Sequence, residues 1–385
     1  MTFSALASEL AQLDARALKR VRRVLQTPQS ARVRVGGRAY LAFCSNDYLG
    51  LAGDSRLVRA AQEACARCGV GAGASHLVLG HSEAHEALER ALARFVALPR
   101  ALLFSSGYMA NIGVVSALVG RDDAVFADRL NHASLNDACL LSRAQFKRYP
   151  HGKLQALEKL LSATPARRKL IVTDAVFSMD GDIAAVPALL ELAERHGAWL
   201  LVDDAHGFGV LGESGRGVLS HFGTFSPRII YMATLGKAAG VFGAFVAGQA
   251  LVVEFLVQRA RSYVYTTATP PLLACAALES LKLIETEQWR RDRLAQLARL
   301  LKSGLAASPW RLLPSNTAVQ PLVIGGNAEA LAVADALNER GLLVPAIRPP
   351  TVPQGTARLR ISLSAAHSED DVNLLVETLN DIARR

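Results

Sequence analysis

Hydrophobic positions in this chain fall into short, unbroken runs that stop abruptly at polar residues. The clearest pair frames residues 198–237. Ala198-Trp-Leu-Leu-Val202 halts at Asp203-Asp204-Ala205-His206-Gly207, and Ile229-Ile-Tyr-Met-Ala233 halts at Thr234-Leu-Gly-Lys237-Ala-Ala-Gly240. Each run has the length and composition of a buried strand. An acid, a histidine and a lysine at their ends are residues that a buried strand does not accept. Lys237 is the only lysine between Lys169 and Lys282, and its Gly/Ala-rich, apolar neighbourhood argues against a solvated surface charge. Ligands of open α/β sheets bind beyond the carboxyl ends of the strands, so these two ends are the first candidates for a site.

The same pattern predicts the other elements. Leu6, Leu10, Leu13, Leu18, Val21 and Leu25 make an amphipathic helix over residues 1–30, ended near Pro28. A β segment spans Arg32 to Phe43 with a turn at Gly36-Gly37, and a helix from Asp54 to Cys68 stops at Gly69. Helices near 82–97, 108–119, 134–141, 153–161 and 187–196 then alternate with strands at 101–104, 124–127, 170–173 and 199–202. A strand at 242–247 and helices at 251–259 and 272–286 complete this unit. The alternation predicts an α/β fold whose mainly parallel sheet lies between helices. Past the polar helix 287–305, strands at 319–324, 342–347 and 358–363 and helices at 329–340 and 368–383 make a small α+β module. The division predicted is 1–45 for an N-terminal helix and β segment, 46–286 for the large domain and 287–385 for the small C-terminal domain.

Composition narrows the classes. The chain has 385 residues, 51% of them hydrophobic and 20% charged, which describes a globular protein with no disorder signature. The net charge of +9 comes mostly from scattered arginines; it suits an anionic substrate or an acidic carrier protein by long-range steering. No aromatic-interleaved basic run or nucleic-acid motif accompanies it. Five widely spaced cysteines imply no disulfide framework. Residues 1–14 lack the pattern of a secretory signal, and no apolar stretch is long enough for a membrane span, so the expected location is the cytoplasm. The glycine-rich loop Gly69-Val-Gly71-Ala-Gly73 follows a helix rather than a strand, which fails the context of a dinucleotide fingerprint. A nicotinamide-dependent dehydrogenase would use that loop and leave Lys237 without a role. His76, His81 and His85 fit no metal spacing on one helix face, and no metal is expected.

A lysine at one strand end and an acid at another suggest a Schiff-base site, because desolvation lowers a lysine's pKa and frees its amine for a carbonyl. Pyridoxal phosphate needs such a lysine together with a carboxylate facing its pyridinium nitrogen, and Asp203 suits that place. The helix opening after Ser105-Ser106-Gly107-Tyr108 offers the free N–H groups and dipole that a phosphate needs. Thr234 offers a hydroxyl beside the lysine, and His132 a ring to stack on the cofactor.

These residues lie within strings that resemble a known family. Ser45-Asn-Asp-Tyr-Leu-Gly50, Asp128-Arg-Leu-Asn-His-Ala-Ser134, Val176-Phe-Ser-Met-Asp-Gly181, Val202-Asp-Asp-Ala-His-Gly207, Thr234-Leu-Gly-Lys237 and Arg348-Pro-Pro-Thr-Val-Pro353 occur in the order seen in the α-oxoamine synthases. The resemblance spans nearly the whole chain and implies a fold-type I, aminotransferase-like pyridoxal phosphate enzyme. It implies that Lys237 holds the cofactor and acts as general base, that Asp203 faces the ring nitrogen, and that His132 stacks on the ring. Ser178 and His206 would approach the phenolic oxygen; Gly107, Tyr108 and Thr234 would lie near the phosphate. Arg360 would receive an amino acid carboxylate, with Asn46, Arg20 and Thr351 as further substrate contacts. Arg22 or Arg23 are alternatives to Arg20, and Tyr265 is a weaker candidate. The string from Arg348 to Arg360 most resembles the biotin-pathway members, which implies condensation of L-alanine with a pimeloyl thioester of coenzyme A or acyl-carrier protein, in a homodimer. Relatives using glycine or serine with other acyl chains share the fold. Ala238-Ala239 and Asp174 depart from the family's usual residues.

Overall fold

The computed structural model describes residues 3–16 and 18–384. Strands are numbered in chain order. β1 (Arg32–Val35) and β2 (Arg38–Ala42) form a hairpin around Gly36 and Gly37, whose φ values of 57° and 78° are what a tight two-residue turn requires. The central sheet contains β3 (Arg100–Phe104), β4 (Ala124–Asp128), β5 (Gln145–Tyr149), β6 (Lys169–Asp174), β7 (Trp199–Asp203), β8 (Ile229–Thr234) and β9 (Ala244–Gly248). Its order is β3-β9-β8-β7-β6-β4-β5, and β9 alone runs against its neighbours.

Apolar runs without polar interruption become strands here because both faces are covered. Along β4, Ala124 and Phe126 enter one core while Val125 and Ala127 enter the other; along β7, Leu200 and Val202 separate from Leu201 in the same way. The period of two thus divides one sheet between two buried layers. On the second face, helices Gly107–Leu118, Ala133–Ser142 and Ala250–Arg259 supply the covering side chains. The parallel strands β4, β6, β7 and β8 all end on one edge, at Asp128, Asp174, Asp203 and Thr234.

In the C-terminal part, β10 (Arg311–Leu312), β11 (Val319–Gly325), β12 (Leu342–Leu343), β13 (Ala346–Ile347) and β14 (Ala357–Ser362) follow, and four of them pair in the order β10-β11-β14-β13. The continuous strand expected over 342–347 is two strands in two sheets. Pro345 has no N–H to donate, so the ladder breaks there. β12 joins β2 in parallel, whereas β13 pairs antiparallel with β14.

Two other expectations change. The N-terminal helix is Ser4–Ala15 and buries no residue; residues 18–24 have no regular structure. Lys19, Arg20, Arg22 and Arg23 bring like charges together there, and Leu6, Leu10 and Leu13 stay exposed. β5 was not expected, because its charged sequence Gln-Phe-Lys-Arg-Tyr reads as polar; at the sheet edge only Tyr149 is fully buried. Among the described residues no helix is long and apolar enough to cross a membrane.

Candidate active site

The polar ends of the parallel strands converge on a cavity of about 180 Å³. Gly107, Tyr108, His132, Ser178, Asp203, His206, Thr234 and Lys237 are among its lining residues. Each arrives by a local device. Ser106 caps the helix Gly107–Leu118 by accepting from the Met109 N–H, and so aims the helix's free N–H groups at the cavity. His132 caps the helix Ala133–Ser142 in the same manner, accepting from the Ser134 N–H. Lys237 sits in the turn between β8 and β9. Thr234 braces that turn: its hydroxyl donates to the Gly243 carbonyl at 2.9 Å and accepts from the Gly236 N–H at 3.2 Å.

The paired aspartates divide between site and core. Asp203 faces the cavity, where Oδ1 accepts from the Ala205 N–H at 3.0 Å and Oδ2 from the Asn111 amide at 2.7 Å. Asp204, one residue on, points into the protein and accepts from the Tyr231 hydroxyl and the Val218 N–H. Burial raises Asp204 to about 7. Asp174 ends the neighbouring strand and accepts from the His132 N–H at 3.0 Å. Burial, reinforced by the Asp203 charge beside it, raises its pKa well above the carboxylate range.

Lys237 Nζ lies 2.7 Å from His206 Nε2. Burial lowers the lysine to about 8, against the opposing pull of Asp203 and Asp174. An unprotonated share of the amine therefore exists near neutral pH. His132 Nδ1 lies 2.8 Å from the Ser134 hydroxyl and accepts from the Ser134 N–H at 3.2 Å. Burial lowers its pKa, and with Nδ1 accepting, the neutral ring carries its proton on Nε2.

Not every predicted residue lines this cavity. Arg360, on β14, reaches its wall from behind. Its Nε donates to the Ser178 carbonyl at 2.6 Å, and its terminal nitrogens lie 3.3 Å from Asn46 Oδ1. Arg20 and Thr351 line a separate groove of about 660 Å³ with Leu10, Leu13, Lys19 and Arg348; Arg22 and Arg23 do not line it. Tyr265 is exposed and carries the Arg261 guanidinium 4.8 Å above its ring. The three histidines do gather, His76 Nδ1 lying 2.9 Å from His81 Nδ1. His85 uses both ring nitrogens on the Ser82 N–H and the Thr269 carbonyl, so the cluster ties a helix start to a distant loop.

Sequence reasoning passed over Asn111, Ser134 and Tyr48. Asn111 is a lone amide in an apolar helical run, and that is the signal it offered. Ser134 and Tyr48 lay inside recognised strings without a part of their own.

The donor set fits pyridoxal phosphate on its chemistry: a partly neutral lysine, a carboxylate held as an acceptor, and a helix N-terminus all line one small cavity. Comparison with known proteins points the same way. Residues 38–379 match the family model for class I and II aminotransferases. A protein of Nitrosospira multiformis named 8-amino-7-oxononanoate synthase is 64% identical, over 96% of this chain and 93% of its own length. One of the same name from Aromatoleum aromaticum is 62% identical, over 99% and 98%. Among solved structures, Sphingomonas wittichii serine palmitoyltransferase superposes with a TM-score of 0.93 at 32% identity, covering 99% of this chain and 97% of that one. The 8-amino-7-oxononanoate synthase of Francisella tularensis gives 0.78 at 32% identity, over 90% and 98%. The chain belongs to the class I and II aminotransferase family, and within it to the pyridoxal phosphate-dependent α-oxoamine synthases.

Proposed function

We propose that the chain is a cytoplasmic homodimer that condenses L-alanine with a pimeloyl thioester in biotin biosynthesis. The products are 8-amino-7-oxononanoate, CO2 and the free thiol. The observation that carries this reading is near-full-length identity of 64% to a synthase of that name, in a chain that places Lys237, Asp203 and His132 around one cavity.

Pyridoxal phosphate, when bound, supplies a carbonyl for the amine and an electron sink for the carbanion at the alanine Cα. Lys237 would hold it through Nζ, and Asp203 would keep a proton on the ring nitrogen. Backbone N–H groups from Gly107 onward would receive the phosphate. Once free, Lys237 Nζ takes the Cα proton of alanine and later returns one to the product. The new C–C bond joins that Cα to the thioester carbonyl, the C–S bond breaks, and the alanine carboxylate leaves as CO2. His132 Nε2–H would donate toward the oxyanion that forms on the thioester carbon. Arg360 would receive the alanine carboxylate with its planar fork by giving up its contacts to Asn46. The groove at Arg20 and Thr351 combines leucines with Lys19 and Arg348, a lining suited to an acyl chain with an anionic end.

Homodimer formation is supported by a helix, Ser4–Ala15, with no buried residue, and by exposed Leu77, Val78 and Leu79. Five free cysteines suit a reducing compartment. Thiol release tests the reaction, with L-alanine, glycine and L-serine each offered pimeloyl, acetyl and palmitoyl thioesters. Preference for alanine with pimeloyl is expected; any other preferred pair overturns the assignment.

A further inference from the structure

Tyr48 is fully buried, yet its hydroxyl meets three polar groups. It lies 2.6 Å from His206 Nδ1, 3.1 Å from Asn46 Oδ1 and 3.4 Å from an Arg360 nitrogen. His206 Nε2 in turn lies 2.7 Å from Lys237 Nζ. A continuous chain of hydrogen bonds therefore runs from Arg360 through Tyr48 and His206 to the lysine.

The donor inventory orients it. A guanidinium only donates and the Asn46 side-chain carbonyl only accepts. Burial raises the phenol's pKa, so it keeps its proton. Burial, with the charges of Lys237 and Arg360 beside it, keeps His206 neutral with a single ring proton. When Lys237 is charged it donates to Nε2, so the ring proton is on Nδ1. Nδ1–H then donates to the Tyr48 oxygen, and Tyr48 donates to Asn46. When Lys237 is neutral the order reverses: Nε2–H faces the amine and Tyr48 turns its proton to Nδ1. Both arrangements need the phenolic oxygen as the partner of Nδ1.

We propose that Tyr48 is a positioning residue whose hydroxyl, as acceptor or donor, partners His206 Nδ1 in either tautomer and thereby couples Lys237 to the carboxylate-binding Arg360. The proposal rests on the assignment of Lys237 and Arg360 made above. Without the hydroxyl, an Nδ1–H would be a buried donor with no acceptor, which is tolerated less than a bare ring lone pair, so the ring proton favours Nε2, where it opposes the lysine's charged form. The other groups facing Lys237 are Asp203, Asp174, Arg360 and His132, and His132 also faces His206; none of them replaces the lost partner of Nδ1.

The test uses the cofactor-free protein. Modification of Lys237 by trinitrobenzenesulfonate is followed on its peptide by mass spectrometry across pH, in wild type, Tyr48→Phe and Tyr149→Phe. The midpoint in wild type is expected near 8. Tyr48→Phe should lower it by about 0.5 unit or more, roughly a threefold change in the equilibrium. Tyr149, an equally buried phenol outside the cavity, should leave it in place when changed. A smaller fall or a rise in Tyr48→Phe overturns the proposal, as does an equal fall in Tyr149→Phe, which would assign the effect to loosened packing. The assay needs no substrate, so its failure is separable from failure of wild-type thiol release.

Discussion

Asn111 donates its side-chain amide to Asp203 Oδ2 at 2.7 Å and to the Ser134 hydroxyl at 2.9 Å. One buried amide thus fixes the carboxylate at the end of β7 and, through Ser134, the ring of His132. Replacing it by alanine leaves Asp203 without one of its two donors. A hydrogen bond to a buried charge contributes about 1.5–3 kcal/mol, so Asn111→Ala should weaken cofactor binding by roughly 10- to 100-fold. Fluorescence titration of the cofactor-free protein with pyridoxal phosphate measures it, and unchanged affinity would show that Asn111 only fills space.

Lys237 is the cavity's one lysine, and no neighbouring group is a primary amine. Lys237→Ala should lower thiol release by about 10³-fold or more, as loss of a proton-transferring group does, and should abolish the visible absorption of covalently held cofactor. Normal turnover by this variant would remove the lysine from the mechanism.

Asp174 and Asp203 end adjacent strands in direct register, yet they should respond differently to the same change. Burial and the Asp203 charge raise the Asp174 pKa, which favours its protonated form. Asp174→Asn imitates that state and should keep kcat within about threefold, the effect expected of a near-isosteric change. Asp203→Asn removes the charge itself and should cost about 10²- to 10³-fold, the scale of lost electrostatic stabilisation. Equal losses in the two variants would mean that Asp174 is ionised as well.

His151 bridges Asp128 and Asp182, its ring nitrogens 3.1 Å from each. Those hydrogen bonds raise it to about 10, against the opposing effect of burial. A folded pKa above the unfolded one stabilises fully below about 6.5 and loses that contribution as pH rises through the folded value. His151→Gln should therefore lower stability by about 2 kcal/mol at pH 6, a figure reduced for partial solvent screening. The difference should shrink toward zero above pH 10. Thermal unfolding at the two pH values checks this, and a pH-independent loss would point to packing alone.

The sequence displayed the sheet well wherever both faces are covered, since β4, β6, β7 and β8 are unbroken apolar runs with polar ends. It concealed β5, whose edge position leaves room for Lys147 and Arg148, and it did not reveal that Pro345 divides one apolar stretch between two sheets. The cavity's lining was legible for a similar reason: each member follows a strand or opens a helix. Its supports were not. Tyr48 and His206 are 158 positions apart, and Asn111 and Asp203 are 92, and no local pattern records a contact made by folding across the sheet.

The antiparallel course of β9 has a consequence for how the site is made. A parallel successor to β8 would need a long crossover before returning to the sheet. Instead the chain doubles back within residues 235–243 and pairs Thr234 with Ala244. The lysine turn is therefore the tip of a hairpin, braced by Thr234 from within and by the Ser280 hydroxyl, which donates to the Ala239 carbonyl at 2.6 Å, from outside. The Lys237 amine belongs to a local unit that other parts of the molecule dock onto, so a loop-length change of a single residue there should displace it more than distant core substitutions do.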